Sequence, residues 1–197
     1  MSELQGEFNY LTDPTQGRTA ANLVMTFNRE AKSSARYALY ARKAMEDDYS
    51  TVGALFSACA ASEQIHAVRH AKAALFRGVS IEVKIDPVVD EYVPDMLGKM
   101  LAFETMAGLI YPDLIEDALQ EGYELAVLSF KHAMLAKKVH ILLCQRAIES
   151  GDYWKSTRKV FYVCSLCGCT RTVNQGLCEC CGGATKYFTA FPPVKTQ

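Results

Sequence analysis

Residues 52–76 read VGALFSACAASEQIHAVRHAKAALF, and this stretch indicates what kind of fold the chain adopts. Its apolar residues recur three and four positions apart, which is the period of an amphipathic α-helix, and Gly78 marks where that helix should stop. Glu63 and His66 are three residues apart, so they share one face of the helix. A carboxylate and an imidazole on one helix face form a candidate metal-binding pair.

Three further segments carry the same helical period: residues 20–45, about 95–120 and about 124–150. The breaks at 47–49 and 121–123 are short, which predicts two antiparallel helical hairpins. The stretch 79–94 contains β-branched residues and two prolines and is long enough to cross a bundle. The predicted fold is therefore mainly α, a four-helix bundle with one long crossover, which is the ferritin-like arrangement.

The chain also repeats itself at a distance of 74 residues. In this register, similar residues align in pairs: Glu30 with Glu104, Tyr37 with Tyr111, His66 with His140, Asp47 with Glu121, and Tyr49 with Tyr123. Glu30 and Tyr37 are seven residues apart, about two helical turns, so they share a face. The two hairpins therefore look like an internal repeat about a pseudo-two-fold axis, each directing Glu, Tyr and His to one depth of the bundle.

This set of side chains matches the ligands of di-iron carboxylate bundles, in which two helices each give one Glu and the other two each give Glu-x-x-His. The chain supplies five of the six ligands: Glu30, Glu63, His66, Glu104 and His140. The sixth position, on the fourth helix, is Lys137. The pattern predicts one or two non-haem irons in the bundle. The alternative is that these residues are ordinary surface glutamates and core histidines.

Six of the eight cysteines lie between positions 164 and 181. Two Cys-x-x-Cys motifs separated by ten residues predict a tetrahedral thiolate site formed by Cys164, Cys167, Cys178 and Cys181. The spacing alone is equally compatible with iron and with a structural zinc ribbon. Cys169 and Cys180 are extra thiols and are interpreted as spares, because neither completes a better Cys-x-x-Cys spacing.

Aromatic residues surround these motifs and are expected to form the small core of a cysteine-rich module: Trp154, Phe161, Tyr162, Tyr187, Phe188 and Phe191. The other two cysteines, Cys59 and Cys144, lie inside helical patterns and are expected to be small buried hydrophobes.

Over nearly its whole length the chain resembles the rubrerythrin family. The motifs that carry the resemblance are Asn22-Leu23 leading to Glu30, Ala35-Arg36-Tyr37, Glu63-Gln64-Ile65-His66, Tyr111-Pro112, Glu121-Gly122-Tyr123 and the cysteine tail. The resemblance implies a ferritin-like domain of residues 1–155 and a small rubredoxin-like β domain of residues 156–197, with iron favoured over zinc at the four cysteines.

The resemblance also implies an activity. Members of the family reduce hydrogen peroxide at the bundle site with electrons relayed through the rubredoxin iron. They work as head-to-tail dimers in which one subunit's rubredoxin centre lies near the bundle site of the other. By position, the five residues named above resemble metal ligands, and Tyr37 and Tyr111 resemble the tyrosines that surround them.

The third helix departs from the family pattern. The family usually has two glutamates three residues apart, the second of which exchanges with the second-helix histidine, but Ala107 follows Glu104 at that distance. His66 is therefore expected to be a fixed ligand. An alignment anchored on the Tyr-Pro motif instead places Phe103 and Met106 in the ligand positions. The 74-residue repeat favours Glu104.

Lys137 is the larger departure, because it brings a positive charge where a bridging carboxylate is needed. One metal is then expected to be lost, with the ammonium in its place and paired with Glu30, Glu63 or Glu104. The alternative is that Lys137 extends outward and leaves the site one ligand short. Two functions follow: a peroxide-reducing enzyme, or a non-catalytic electron-transfer or interaction subunit with a depleted bundle site.

Composition excludes several other classes. The chain has 21 Lys+Arg against 22 Asp+Glu, and this near-zero charge favours neither nucleic acid nor a membrane surface as a partner. It has no long apolar run and no signal-peptide pattern at its start, which predicts a cytoplasmic protein. Because no Gly-rich nucleotide loop is present, electrons are expected to come from an external donor protein, and a homodimer is expected.

Overall fold

The computed structural model describes residues 17–82, 92–151, 154 and 158–194. Four helices dominate it: α1 Gly17–Glu46, α2 Ser50–Phe76, α3 Val93–Gln120 and α4 Glu124–Ser150. α1 packs along α2 and α3 along α4, as predicted, while α1–α3 and α2–α4 contacts close the bundle. Of the helices described, none is both long and apolar enough to span a membrane. Most of the predicted crossover, residues 83–91, lies outside the described residues.

Three of the helices, α1, α2 and α3, begin two or three residues earlier than predicted. In α1 and α3 the first turn is stabilised by groups other than apolar contacts. At the start of α1, the carboxylate of Glu121 accepts hydrogen bonds from the backbone N–H groups of Arg18 and Thr19 at 2.7 and 3.2 Å. At the start of α3, Pro94 occupies the first turn, where its missing N–H costs nothing. Neither signal depends on the helical period.

The two hairpin turns are built alike, as the repeat predicts. Asp48 and Gly122, which are 74 residues apart, both have left-handed backbones, with φ of 63° and 62°. In each turn the following tyrosine N–H donates to the carbonyl five residues before it, Tyr49 to Ala44 and Tyr123 to Ala118, both at 2.8 Å. This is the hydrogen-bond pattern that commonly ends a helix in a left-handed residue.

The bundle core consists of two apolar clusters separated by a polar layer. On every helix, the residues of the first cluster and those of the second lie on opposite sides of the buried polar positions. The first cluster includes Tyr37, Phe56 and Met100, and the second includes Leu23 and Phe130. The polar layer contains Glu30, Glu63, His66, Glu104, Lys137 and His140. Buried charges of this kind persist only when they are paired or bind metal, so this layer marks the candidate site.

The cysteine-rich tail forms a small antiparallel sheet of β1 Phe161–Cys164, β2 Thr170–Arg171 and β3 Phe188–Phe191, in the order β2-β1-β3. Its predicted aromatic core is only partly correct. Trp154 and Phe161 stack at 6.1 Å and belong to the first helical cluster, whereas Tyr187 is 38% exposed. The tail therefore shares its core with the bundle. The domain boundary after residue 155 stays a prediction.

Candidate metal centres

The polar layer brings together all five residues predicted to bind metal in the bundle: Glu30 from α1, Glu63 and His66 from α2, Glu104 from α3, and His140 from α4. Each is at most 2% exposed. They form two triads, Glu30–Glu63–His66 and Glu63–Glu104–His140, and within each triad the ligand atoms lie within 4.8 Å of one another. Glu63 belongs to both, which is the position of a bridging carboxylate. Two carboxylates and one imidazole suit one divalent iron per triad.

Lys137 points into this layer, so the outward alternative is not observed. Its Nζ donates to Glu30 Oε2 at 2.9 Å, Glu63 Oε2 at 3.1 Å and Glu104 Oε2 at 3.4 Å. The residue is 1% exposed. The ammonium therefore competes with metal for the same three carboxylates, and the residues present do not fit two metal ions while Lys137 keeps this position.

The pKa values in the layer follow from these contacts. Burial alone lowers the pKa of Lys137, but the carboxylates of Glu104, Glu30 and Glu63 outweigh it and hold that pKa well above its usual range. Burial and the neighbouring Glu63 raise the pKa of Glu30. Burial opposes ionisation of Glu63 too, but Lys137 and hydrogen bonds from its neighbours lower its pKa. The layer thus holds a charged lysine, an ionised Glu63 and a proton available at Glu30.

The two histidines face the carboxylates with their Nδ1 atoms. His66 Nε2 lies 3.1 Å from the carbonyl oxygen of Cys167, which can only accept, so Nε2 carries the hydrogen. Its Nδ1 lies 3.2 Å from Glu63 Oε2, which is also an acceptor. A cation, either a proton or a metal ion, is needed between these two atoms. His140 is placed similarly, with Nδ1 3.1 Å from Glu63 Oε1 and 3.3 Å from Glu104 Oε2.

One oxygen in the layer has no hydrogen bond. Among the described residues, Glu63 Oε1 is a buried side-chain atom without a donor, although His140 Nδ1 is within 3.1 Å of it. The distance alone does not make a hydrogen bond, since the direction is also required. A buried carboxylate oxygen that lacks a hydrogen-bond donor is well suited to bind a metal ion. This oxygen therefore favours one ion in the Glu63–Glu104–His140 triad.

The predicted tyrosines hold the outer glutamates. Tyr37 donates to Glu104 Oε1 at 2.7 Å, and Tyr111 donates to Glu30 Oε1. Burial and the adjacent carboxylates raise the pKa of both phenols, so they stay protonated and donate. The contacts cross between the hairpins, α1 to α3 in both directions, as the pseudo-two-fold repeat requires.

Sequence reasoning missed His70. Its Nε2 lies 3.2 Å from the Tyr111 hydroxyl and its Nδ1 lies 2.8 Å from Ser129 Oγ, which extends the buried network by two residues. The available signal was its position four residues after His66, on the same face of α2.

The alternative third-helix alignment does not match the structure. Glu104 is 1% exposed and lies in the layer, whereas Met106 is 51% exposed. Phe103 lies beneath the guanidinium of Arg36, with 4.2 Å between the Arg36 Cζ atom and the ring centroid. Of the candidate positions, Glu104 alone reaches the other carboxylates.

The four predicted cysteines form the second centre. Cys164 and Cys181 have their sulfurs 3.7 Å apart, and those of Cys167 and Cys178 are 3.5 Å apart. Tetrahedral coordination with metal–sulfur bonds of about 2.3 Å requires sulfurs about 3.8 Å apart, so this site fits one metal ion. Hydrogen bonds from Cys180 and the other tail thiols lower the pKa of Cys167, which favours the thiolate needed for binding.

The tail lies directly on the polar layer of its own chain. Ser62 Oγ donates to the Gly168 carbonyl at 2.6 Å, and Arg69 donates to the Leu166 carbonyl at 2.7 Å, beside the His66–Cys167 contact. Gly168 has φ of 80°, and a Cβ at this position would overlap the ring of His66. The two centres therefore meet within one chain, whereas the resemblance implied a contact between subunits.

These features define a class of protein: a ferritin-like bundle with a carboxylate–histidine layer and a rubredoxin-like four-cysteine tail. The rubrerythrin family model matches residues 21–148. The chain belongs to the rubrerythrin family.

Individual relatives cover nearly the whole chain. Rubrerythrin-2 of Clostridium acetobutylicum is 29% identical, over 88% of this chain and 96% of its own length. Nigerythrin of Nitratidesulfovibrio vulgaris is 28% identical, over 93% of both. A solved structure of nigerythrin in a mixed-valence state superposes with a TM-score of 0.81 at 26% identity, covering 93% of this chain and 90% of that one. These relatives therefore match the chain over both the bundle and the tail.

Proposed function

We propose that this chain is a non-haem iron protein that reduces hydrogen peroxide, with electrons passing from the four-cysteine site to the bundle site. The observation that carries the proposal is the hydrogen bond between His66 and the Cys167 carbonyl, which joins the two candidate centres through one contact at 3.1 Å. Iron at the four cysteines would supply a one-electron carrier, and iron in the bundle a redox-active Lewis acid.

The protein's own groups have definable tasks in this reaction. Cleavage of the O–O bond of peroxide consumes two electrons and two protons and yields two waters. Glu30, with its raised pKa, holds a proton in the layer, and the Lys137 ammonium stabilises negative charge as it develops on oxygen. Tyr37 and Tyr111 keep the outer carboxylates oriented. The apolar clusters on both sides limit the access of water.

A second candidate function is a non-catalytic electron-transfer or interaction subunit. The observation in its favour is Lys137, whose ammonium pairs with three carboxylates and occupies space that a metal ion would need, although Glu63 Oε1 still lacks a donor among the described residues. In that case iron is bound in the tail alone, and the bundle serves as a scaffold.

Metal content and turnover of four variants separate the two functions. Lys137→Glu replaces the ammonium by a fourth carboxylate, and the charge change is worth several kcal/mol, about 4 per unit charge at 4 Å and an effective dielectric of 20. Lys137→Glu should raise both the iron content of the bundle and the rate of peroxide turnover. Lys137→Ala should raise both by an intermediate amount. Lys138→Glu and Lys138→Ala are matched controls, because Lys138 is exposed. Iron in the tail alone with no peroxide turnover would favour the second function. Two bundle irons in the unmodified protein, insensitive to these changes, would contradict the role given to Lys137.

The identity of the tail metal is tested by colour. Iron-loaded protein should show the visible charge-transfer bands of a ferric tetrathiolate, and Cys164→Ser or Cys178→Ser should abolish them. A colourless protein that retains one tightly held zinc after anaerobic iron loading would count against electron transfer through the tail.

The proposed partners are an external electron-donor protein, peroxide as substrate, and a second copy of the chain in a homodimer, with the cytoplasm as location. Since the tail already reaches the bundle of its own chain, dimer formation is not needed to join the two centres. Sedimentation of the iron-loaded protein tests the dimer directly.

A further inference from the structure

The two thiols interpreted as spares lie beside the four-cysteine site. The sulfurs of Cys169, Cys178 and Cys180 are all within 4.8 Å of one another, and Cys178 is also a ligand in the four-cysteine set. Cys169 and Cys178 are 2% and 3% exposed, and Cys180 is partly exposed. The tail thus concentrates six thiols, two more than one tetrahedral metal ion can use.

Backbone hydrogen bonds fix this arrangement. The Cys164 N–H donates to the Cys169 carbonyl at 2.9 Å, which holds Cys169 against the first knuckle. In the second knuckle, the Cys178 N–H donates to the Gly183 carbonyl and the Gly182 N–H donates to the Cys178 carbonyl, both at 2.8 Å. The resulting loop places Cys180 on the same side as Cys169. The second thiol cluster, of Cys169, Cys178 and Cys180, is therefore a product of the turns.

A carboxylate lies next to one of the three thiols, that of Cys169. Glu179 Oε2 is 4.0 Å from Cys169 Sγ, and Glu179 Oε1 is 3.9 Å from the guanidinium of Arg171. Three sulfurs leave one position of a tetrahedral d¹⁰ cation such as Zn²⁺ open, and the exposed side chain of Glu179 can reach that position by rotation. Arg171, only 8% exposed, supplies positive charge beside a site rich in anions.

We propose that Cys169, Cys178 and Cys180, with Glu179 as fourth ligand, bind a second thiophilic cation of the zinc class, and that the Cys178 thiolate bridges it to the metal of the four-cysteine site. The tail then holds a two-metal thiolate cluster. This inference is independent of the proposed function, which needs only one metal ion in the tail, the one held by the four cysteines.

Cadmium is a suitable probe, because ¹¹³Cd is a spin-active substitute for zinc. The fully reduced full-length protein is titrated with ¹¹³Cd²⁺ and followed by NMR and native mass spectrometry. Two thiolate-type resonances with mutual scalar coupling are expected, since a bridging sulfur transmits the coupling. Cadmium bound to the oxygens and nitrogens of the bundle resonates in a different region.

Substitutions assign the second ion. Cys180→Ser and Cys169→Ser should each leave one uncoupled thiolate resonance, so cadmium in the tail falls from two ions to one. Retention of that resonance shows that the variant tail is folded. Glu179→Gln should lower the affinity for the second ion about tenfold and leave the affinity for the first ion unchanged. Cys144→Ser is the matched control and should keep both ions, because Cys144 is buried in the bundle.

Two results would overturn the proposal. One is a single thiolate resonance in the reduced unmodified protein at saturating cadmium, which would leave Cys169 and Cys180 without a metal. The other is a pair of resonances that survives both serine substitutions, which would place the second ion elsewhere.

Discussion

In the 74-residue repeat, Lys137 occupies the position equivalent to Glu63. In the structure the Lys137 ammonium lies 3.1 Å from the Glu63 carboxylate. The ammonium also reaches Glu30 and Glu104. A single side chain thus offsets negative charge of the carboxylates, a task that metal ions perform in a bundle with Glu at both equivalent positions. The chain therefore carries its own cation at the centre of the bundle. Its stability without metal should depend on that cation.

Lys137→Met should destabilise the metal-free protein by about 3 kcal/mol, because removal of one partner leaves buried carboxylates unpaired. Methionine keeps most of the volume of lysine, so a cavity contributes little. Urea unfolding measures the effect, and Lys138→Met is the exposed control. Added divalent metal should restore stability to the variant. Equal stability of the metal-free variant and the unmodified protein would mean that the three ion pairs carry no net energy.

His70 should make stability depend on pH. Burial, with smaller effects from His66 and Lys137, holds the pKa of His70 well below its usual range, so the folded protein keeps it neutral. In the unfolded chain the histidine binds a proton near pH 6.5. The contribution of neutral His70 to the free energy of unfolding is therefore present above about pH 6.5 and is lost as pH falls, at up to about 1.4 kcal/mol per pH unit.

The test compares unfolding free energies of the metal-free protein at about pH 7.5 and 5.5. His70→Gln should lose less stability across this interval than the unmodified protein, because glutamine takes up no proton. Effects of Glu30, which titrates with the opposite sign, cancel in the comparison. An unchanged difference between the two pH values in His70→Gln would assign the dependence to other groups.

The hairpin turns offer a matched pair of substitutions in one protein. Asp48 and Gly122, which are equivalent in the repeat, both adopt the left-handed backbone conformation. This conformation costs conformational free energy for Asp48 but not for Gly122. Asp48→Gly should therefore stabilise the protein by about 0.5–1 kcal/mol, and Gly122→Ala should destabilise it by about 1 kcal/mol. Thermal unfolding of both variants measures this. Opposite signs would show that the side chain of Asp48 contributes more than its backbone costs.

The helices and hairpin turns were predictable, because their signals are local: a period of three and four residues, short breaks, and a repeat that aligns the turns. The five bundle residues were predictable for the same reason, since helical spacing fixes which side chains share a face. The early start of α1 was not, because its first N–H groups bond to Glu121, more than 100 residues away. His70 was missed because a buried histidine four residues after another is usually part of the core.

The position of the tail on the bundle was beyond sequence reasoning. It rests on single hydrogen bonds between residues about 100 positions apart, such as Ser62 with Gly168, and on the entry of Trp154 and Phe161 into the helical core. No periodic pattern records such contacts. Gly168, whose left-handed backbone lies against His66, is where this interface can be tested.

Gly168→Ala should displace the tail from the bundle, because the added methyl group overlaps the His66 ring and also meets backbone strain. The two effects together should cost about 2–4 kcal/mol. Gly176→Ala is the control, since Gly176 has φ of 68° but no atom close to a new Cβ. Hydrogen exchange around residue 66 should increase in the first variant alone. Equal exchange in both would mean that the tail tolerates the methyl group in place.

The contact of both imidazoles with one tail segment has a thermodynamic consequence. His66 Nε2 meets Cys167 and His140 Nε2 meets Thr170, so the same four residues orient both nitrogen donors of the bundle. Metal that ordered this segment on binding to the tail would hold both imidazoles in place and so tighten metal binding in the bundle by some factor. Linkage requires that an occupied bundle change the affinity of the tail by the same factor. A coupling that tightens both sites would make the two centres fill as one cooperative unit, so at limiting iron most chains would be either fully loaded or empty, with few half-loaded ones.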